Sequence, residues 1–83
     1  MTNSQMQADF SSLVMSIGSA AMMGLGDIPN PQSGKVEKNK EMAKFNIDLL
    51  AVLQEKTKNN LSSEEEGLIN RLVSDLQMRY VNS

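Results

Sequence analysis

The sequence contains no cysteine, no histidine and no tryptophan, and these absences exclude several classes of protein. Without cysteine the chain can form neither a disulfide framework nor a thiolate metal site. Without histidine it lacks the commonest general base and the commonest ligand of transition metals. Its serines therefore have no histidine to activate them as nucleophiles. We expect no enzymatic activity, no cofactor and no metal ion.

A strong positive charge is also missing. Eight basic residues stand against ten acidic ones, which gives a formal net charge of −2. Lysines cluster between Lys35 and Lys44, but Glu37 and Glu41 interrupt them. Nucleic-acid-binding domains usually carry an unmixed basic stripe, so this mixed pattern is typical of a solvated helix face. We expect no nucleic-acid partner.

The longest stretch without any charge is FSSLVMSIGSAAMMGLG, which covers residues 10–26. Every position in it is apolar or is Ser, Gly or Ala, so a helix formed here has no strongly polar face and needs protein or lipid around it. As a helix it would reach roughly 25 Å, less than the ~30 Å thickness of the hydrocarbon core of a bilayer. Burial among other helices is therefore the favoured interpretation, and membrane association through this segment is the alternative.

Hydrophobic periodicity predicts a single all-α domain over residues 1–83. Helix 1 is expected at about 7–25, helix 2 at about 37–58 and helix 3 at about 62–81, with a proline-containing loop at 26–36. A link as short as the one between helices 2 and 3 predicts an antiparallel hairpin, with helix 1 packed against it. A chain of this length buries only about 60% of its unfolded surface, so a second copy would help to stabilise it.

Local signals support the second and third helices. Ser62 and Glu65 have the spacing of a capping box, and acidic residues fill the turn that follows. Asn59 is suited to the left-handed conformation that ends a helix. Helix 2 has two apolar stripes, so we expect it to contact neighbours on two sides. The stripes are Ala43, Ile47 and Leu50, and Met42, Phe45, Leu49 and Val52.

Helix 1 has a row of small side chains at intervals of four residues, formed by Ser12, Ser16, Ala20 and Gly24. Such a row lets another helix approach closely. The approaching helix could belong to the same chain or to a second copy, and the row alone does not distinguish them. Other apolar side chains extend further around the helix than two neighbouring helices can cover, which favours a second chain. The predicted interface residues are Ser12, Ser16, Ala20, Gly24, Val14, Met15 and Met22.

Much of the chain resembles a small bacterial family known as the domain of unknown function number eighteen-forty-four. The resemblance covers about Asp9 to Val81, and its most distinctive parts are DFSSLVMSIGSAAMMGLG, the IPNP loop and NIDLLAVLQEKTKNNLSSEEEGLINRLVSDLQMRY. Family members usually have Gly at the position of Asn59 and Pro at that of Ser63. Both differences suit the same cap and first turn. The resemblance implies a short, mostly helical bacterial protein, and it transfers no catalytic or binding residue.

Together these observations predict a non-catalytic module that associates with itself or with another protein. We expect a homo-oligomer, of which a dimer is the simplest form, and an unidentified protein partner remains the other interpretation. Residues 1–8 contain no Lys or Arg, so the basic start of a secretory signal is missing. We therefore expect the protein to be cytoplasmic.

Overall fold

A computed structural model describes residues 8–83 and contains three α-helices. They are α1 (Phe10–Leu25), α2 (Lys40–Lys56) and α3 (Ser63–Val81), and no strand occurs within residues 8–83. The prediction of an all-α fold with three helices is therefore confirmed. The molecule measures 38 × 35 × 15 Å along its principal axes, so it is flat. Gln7, the predicted first residue of helix 1, lies outside the described residues.

Both ends of α1 have side-chain or backbone caps. At the start, the carboxylate of Asp9 accepts a 2.8 Å hydrogen bond from the main-chain amide of Ser12. This bond stabilises the charged carboxylate and lowers the pKa of Asp9. At the end, Gly26 has a φ of 82°, which glycine adopts without steric cost. The next amide, of Asp27, then donates a 2.9 Å bond to the carbonyl of Met22, closing the helix.

A hydrogen-bonded loop connects α1 to α2. The amide of Asn30 donates to the carbonyl of Lys35 at 2.8 Å, and the amide of Gly34 donates back to Asn30 at 2.7 Å. Asp27, at the start of the loop, contacts Arg79 of α3 through a 3.2 Å ion pair. The loop is thus anchored to the third helix as well as to its own two ends.

The structure starts α2 at Lys40, three residues after the predicted start at 37. Asn39 provides the reason, because its side chain accepts a 3.0 Å bond from the amide of Met42 and caps the helix there. The helix ends at Lys56 rather than at 58, with Thr57 as its cap. Asn59 has a φ of 70°, the left-handed conformation expected for it.

The start of α3 has the predicted capping box. The hydroxyl of Ser62 accepts a 3.1 Å bond from the amide of Glu65, and the Glu65 carboxylate accepts a 2.9 Å bond from the amide of Ser62. Each bond provides a partner for an amide that would otherwise have none inside the helix. The capping-box prediction is confirmed.

The core takes three buried apolar residues from each helix, and each helix contacts both of the others. Within the described residues no polar or charged side chain is buried. Burial of apolar surface is therefore the main contribution to stability. The nine core residues are Val14, Ala21, Leu25, Ala43, Ile47, Leu50, Ile69, Val73 and Leu76.

Two glycines let the other helices approach α1. A Cβ atom added to Gly24 would lie 2.7 Å from the amide nitrogen of Ala43 and 2.8 Å from the carbonyl oxygen of Asn39, so the backbones of α1 and α2 meet there. One added to Gly18 would lie 2.8 Å from the Cδ2 atom of Leu72 in α3. These positions identify the side of α1 that packs on α2 and the side that packs on α3.

Polar contacts join α2 to α3 at both ends of α2. The ammonium group of Lys40 lies 4.5 Å from the ring centroid of Tyr80 and donates a 3.3 Å bond to the carbonyl of Ser83. Near the other end, the side-chain amide of Gln54 donates a 2.7 Å bond to Asn70. These contacts identify the side of α2 that packs on α3.

Candidate interaction surface

The row of small residues on α1 divides into two parts. Gly24 is buried against the backbone of α2, so α2 of the same chain occupies that end of the row. Ala20 is half-buried, and Ser12 and Ser16 are exposed. No other helix within residues 8–83 covers the part around Ser12 and Ser16.

The three other predicted interface residues lie in different environments. Met15 is 45% exposed and is available for contact. Met22 is half-buried and packs against the core. Val14 has 0% exposure and is a core residue. It therefore does not belong to the outer surface, because the side of α1 on which it lies faces both other helices.

Of the exposed apolar residues that were not predicted as interface residues, three belong to α1 and α2. Leu13 of α1 is 47% exposed, and Phe45 and Val52 of α2 are 63% and 54% exposed. Phe45 and Val52 belong to the second apolar stripe of helix 2, which we expected to be covered by a neighbouring helix. The three helices of one chain leave these two side chains uncovered. In the sequence, the spacing of seven residues between Phe45 and Val52 indicated that the two side chains lie on one face of the helix.

The exposed apolar residues of the two helices lie on separate faces. At about 100° per residue, Leu13 and Ala20 lie within roughly 40° of Gly24, which is on the side of α1 that contacts α2. Phe45 and Leu49 of α2 lie on the side away from the contacts that Lys40 makes with α3. Around α2, Phe45 and Val52 lie roughly 160–180° from Ala43, whose backbone meets Gly24, so they are on the far side of α2 from α1. The exposed residues therefore form two faces, one on each helix.

We call these two faces together the outer α1–α2 surface. Its α1 part consists of exposed or half-buried uncharged residues, and its α2 part is one apolar stripe. Its members are Ser12, Leu13, Met15, Ser16, Ala20, Phe45, Leu49 and Val52.

A family model described as Domain of unknown function (DUF1844) matches residues 7–82. The chain belongs to this family. The match covers all three helices of this DUF1844 member and every residue of the outer α1–α2 surface. Comparisons with curated proteins and with solved structures give no match.

One ion pair of the DUF1844 chain borders the α2 part of this surface. Lys44 pairs with Asp48 at 2.9 Å, and this hydrogen bond raises the pKa of Lys44. Asp48 comes three residues after Phe45 and four before Val52, so it adjoins both on the helix. Arg79 pairs with Asp75 at 2.9 Å, and this bond is the main cause of its raised pKa, to which the charge of Asp27 adds. The outer α1–α2 surface thus offers apolar side chains with a charged residue at its edge.

Other exposed apolar side chains of the described residues are Val36 in the loop and Met78 and Val81 of α3. Two grooves lie between α2 and α3, one beside the Gln54–Asn70 hydrogen bond and one beside Tyr80. Both grooves include charged residues in their walls. Within residues 8–83 no group of three acidic side chains is placed to hold a metal ion.

The charge-free helix also bears on the membrane hypothesis. Among the helices of the described residues, none has both the length and the hydropathy needed to cross a bilayer. For α1 the length is 16 residues, fewer than the roughly 20 that a spanning helix needs.

Proposed function

We propose that this protein is a non-catalytic interaction module that binds another protein chain through the outer α1–α2 surface. The observation that supports it best is the exposure of Phe45, at 63%, and of Val52 on the same face of α2, with Leu13 exposed on α1. Exposed apolar surface on small proteins often marks contact sites. Aromatic residues are also enriched among the residues that contribute most to binding energy.

We propose a non-catalytic role because of the side chains that the chain contains. Cysteine and histidine are absent from the sequence, and the carboxylates of the first turn of α3 serve as helix caps. The outer α1–α2 surface itself contains the hydroxyl groups of Ser12 and Ser16, and the carboxylate beside them, that of Asp9, caps α1. Such a surface favours contact with another apolar surface over chemistry. A cytoplasmic location is part of the same proposal and is supported by the lack of cysteine.

We also infer that α2 and α3 form an antiparallel hairpin on which α1 rests. The contact pairs support it: Lys40, at the start of α2, contacts Tyr80 near the end of α3, whereas Gln54 contacts Asn70, nearer its start. In an antiparallel pair of helices, residues with rising numbers on one helix contact residues with falling numbers on the other. In this arrangement the hairpin supports α1 from one side and leaves its opposite face outward.

A photocrosslinker at Phe45 tests the proposed function in cells that produce the full chain. We expect benzoylphenylalanine at this position to give a discrete protein adduct after irradiation. The matched control carries the same group at Met78, which is 64% exposed but belongs to α3. Val52→Arg in the same chain as the Phe45 crosslinker should remove the adduct, because it places a charge on the same face of α2. No adduct at Phe45, or equal adducts at both positions, would contradict the proposal.

A further inference from the structure

The last turn of α3, residues 77–81, has few apolar contacts. The last buried residue of the helix is Leu76. Among the residues of the last turn, Tyr80 is half-buried and packs against the core, whereas the others are exposed. Apolar burial, which stabilises the earlier turns of α3, therefore contributes less to this last turn.

Two contacts made by charged groups join the last turn of α3 to other parts of the chain. The ammonium group of Lys40 lies 4.5 Å from the ring centroid of Tyr80, and it donates to the carbonyls of Ser83 at 3.3 Å and of Tyr80 at 3.5 Å. These carbonyls belong to the helix end, where a lysine side chain is a favourable partner. The guanidinium of Arg79 reaches Asp27 at 3.2 Å. The last turn is thus tied to both ends of the loop between α1 and α2.

We propose that the last turn of α3 is a latch that opens separately from the rest of the fold, and that the charge of Lys40 determines how often it is open. Contacts between exposed charged groups are weak and are screened by salt. A segment held mainly by such contacts opens at a lower free energy than the core. A rise in ionic strength therefore opens the latch while the three helices stay packed. The latch does not depend on the outer α1–α2 surface, which contains none of its residues.

Opening of the latch changes the groove between α2 and α3. In the closed form Tyr80 lines this groove together with Ile47 of α2. Ile47 is buried, and so is Leu76, which lies four residues before Tyr80 on the same side of α3. When Tyr80 moves away from α2, apolar surface beside both residues becomes accessible to water. The open form thus has apolar surface that the closed form covers.

Tyr80 is the only tyrosine of the chain, and tryptophan is absent, so its fluorescence reports directly on the latch. Lys40→Met removes the charge, keeps most of the side-chain length and leaves the cap of α2, Asn39, in place. Lys44→Met is the matched control, because the ammonium of Lys44 bonds to Asp48 of the same helix. We expect acrylamide to quench Tyr80 about twofold more strongly in Lys40→Met, with no change in Lys44→Met. Equal quenching in the two variants would overturn the proposal.

Salt and hydrogen exchange provide the second measurement. Raising KCl from 10 mM to 1 M shortens the Debye length from about 30 Å to about 3 Å, which should increase the quenching of Tyr80 in the unmodified chain but change it little in Lys40→Met. By NMR we expect the amides of residues 78–82 to exchange roughly fivefold faster in Lys40→Met, with unchanged rates for residues 69–76. Faster exchange in both groups would show that the whole fold opens, and unchanged exchange in both would show that Lys40 holds nothing closed. Either result would contradict the latch.

Discussion

The main-chain amide of Asn39 donates a 2.7 Å hydrogen bond to the main-chain carbonyl of Gly24. This bond joins the last turn of α1 to the residue that caps α2. It forms because Gly24 has no side chain, so the two backbones can come into direct contact. The contact between α1 and α2 at this point thus depends on a hydrogen atom where alanine would have a methyl group.

We therefore expect Gly24→Ala to destabilise the protein. The added Cβ would meet backbone atoms at 2.7 and 2.8 Å, and backbone cannot rotate away as a side chain can. Overpacking of this kind costs about 1–3 kcal/mol, more than the ~1 kcal/mol that replacing glycine in a helix returns. Urea unfolding measures the difference. Gly67→Ala is the matched control, since nothing lies within 4 Å of its Cβ position and it should gain up to about 1 kcal/mol.

The contact between Gly18 and Leu72 gives a second prediction. Gly18→Leu should lower the free energy of unfolding by about 1–3 kcal/mol, because the new side chain meets Leu72 in a filled space. Leu72→Ala in the same chain should recover part of the loss, which a double-mutant cycle would detect. Ala20→Leu should cost less, since Ala20 is half-buried. If the effects of Gly18→Leu and Leu72→Ala simply add, the two side chains do not compete for this space.

The capping box of α3 gives a third prediction. Ser62→Ala removes the hydroxyl that accepts the bond from Glu65, so stability should fall by about 1 kcal/mol. Thermal unfolding at neutral pH measures the change. Ser63→Ala, one residue further along and equally exposed, is the control and should change stability by less than about 0.5 kcal/mol. A similar loss in both variants would show that the cap contributes nothing specific.

The cap of α1 predicts a dependence on pH. The bond from the Ser12 amide lowers the pKa of Asp9, so the folded state holds this carboxylate charged to lower pH than the unfolded chain, whose value is about 3.9. The stabilisation is present above that value and disappears as the pH falls through the lower folded value. Asp9→Asn keeps a capping oxygen but cannot titrate. Below pH 5 its stability should therefore fall less steeply than that of the unmodified chain, as measured by urea unfolding at several pH values.

The features of this fold that depend only on residues close together in the chain could be predicted from the sequence. Ser62 and Glu65 are three residues apart, and their spacing alone defines the capping box. Gly26 and Asn59 likewise have left-handed conformations that their residue types favour. The start of α2 was harder to predict from the sequence, because several residues could begin the helix. The residue that caps it is Asn39, which is fixed by its contact with Gly24.

Contacts between distant parts of the chain were harder to predict. Gly24 has the spacing of an outward row, yet it contacts α2, because a helical row can turn from one neighbour to another along its length. Val14 also appears as one of several apolar residues around α1, and only the packing shows that it is in the core. Periodicity identified the stripe of Phe45 and Val52 but not the exposure of these two side chains in the part of the chain that the structure describes.

The Asn39–Gly24 bond has a practical consequence for the segment that it closes. The connection from Gly26 to Lys38 starts and ends at fixed points, as in the compact surface excursions known as Ω-loops. Extra residues at its exposed tip, around Gln32 and Ser33, would lengthen the excursion without pulling the helices apart. A fluorophore or an affinity peptide placed there reports on the protein while both of its terminal segments stay unmodified.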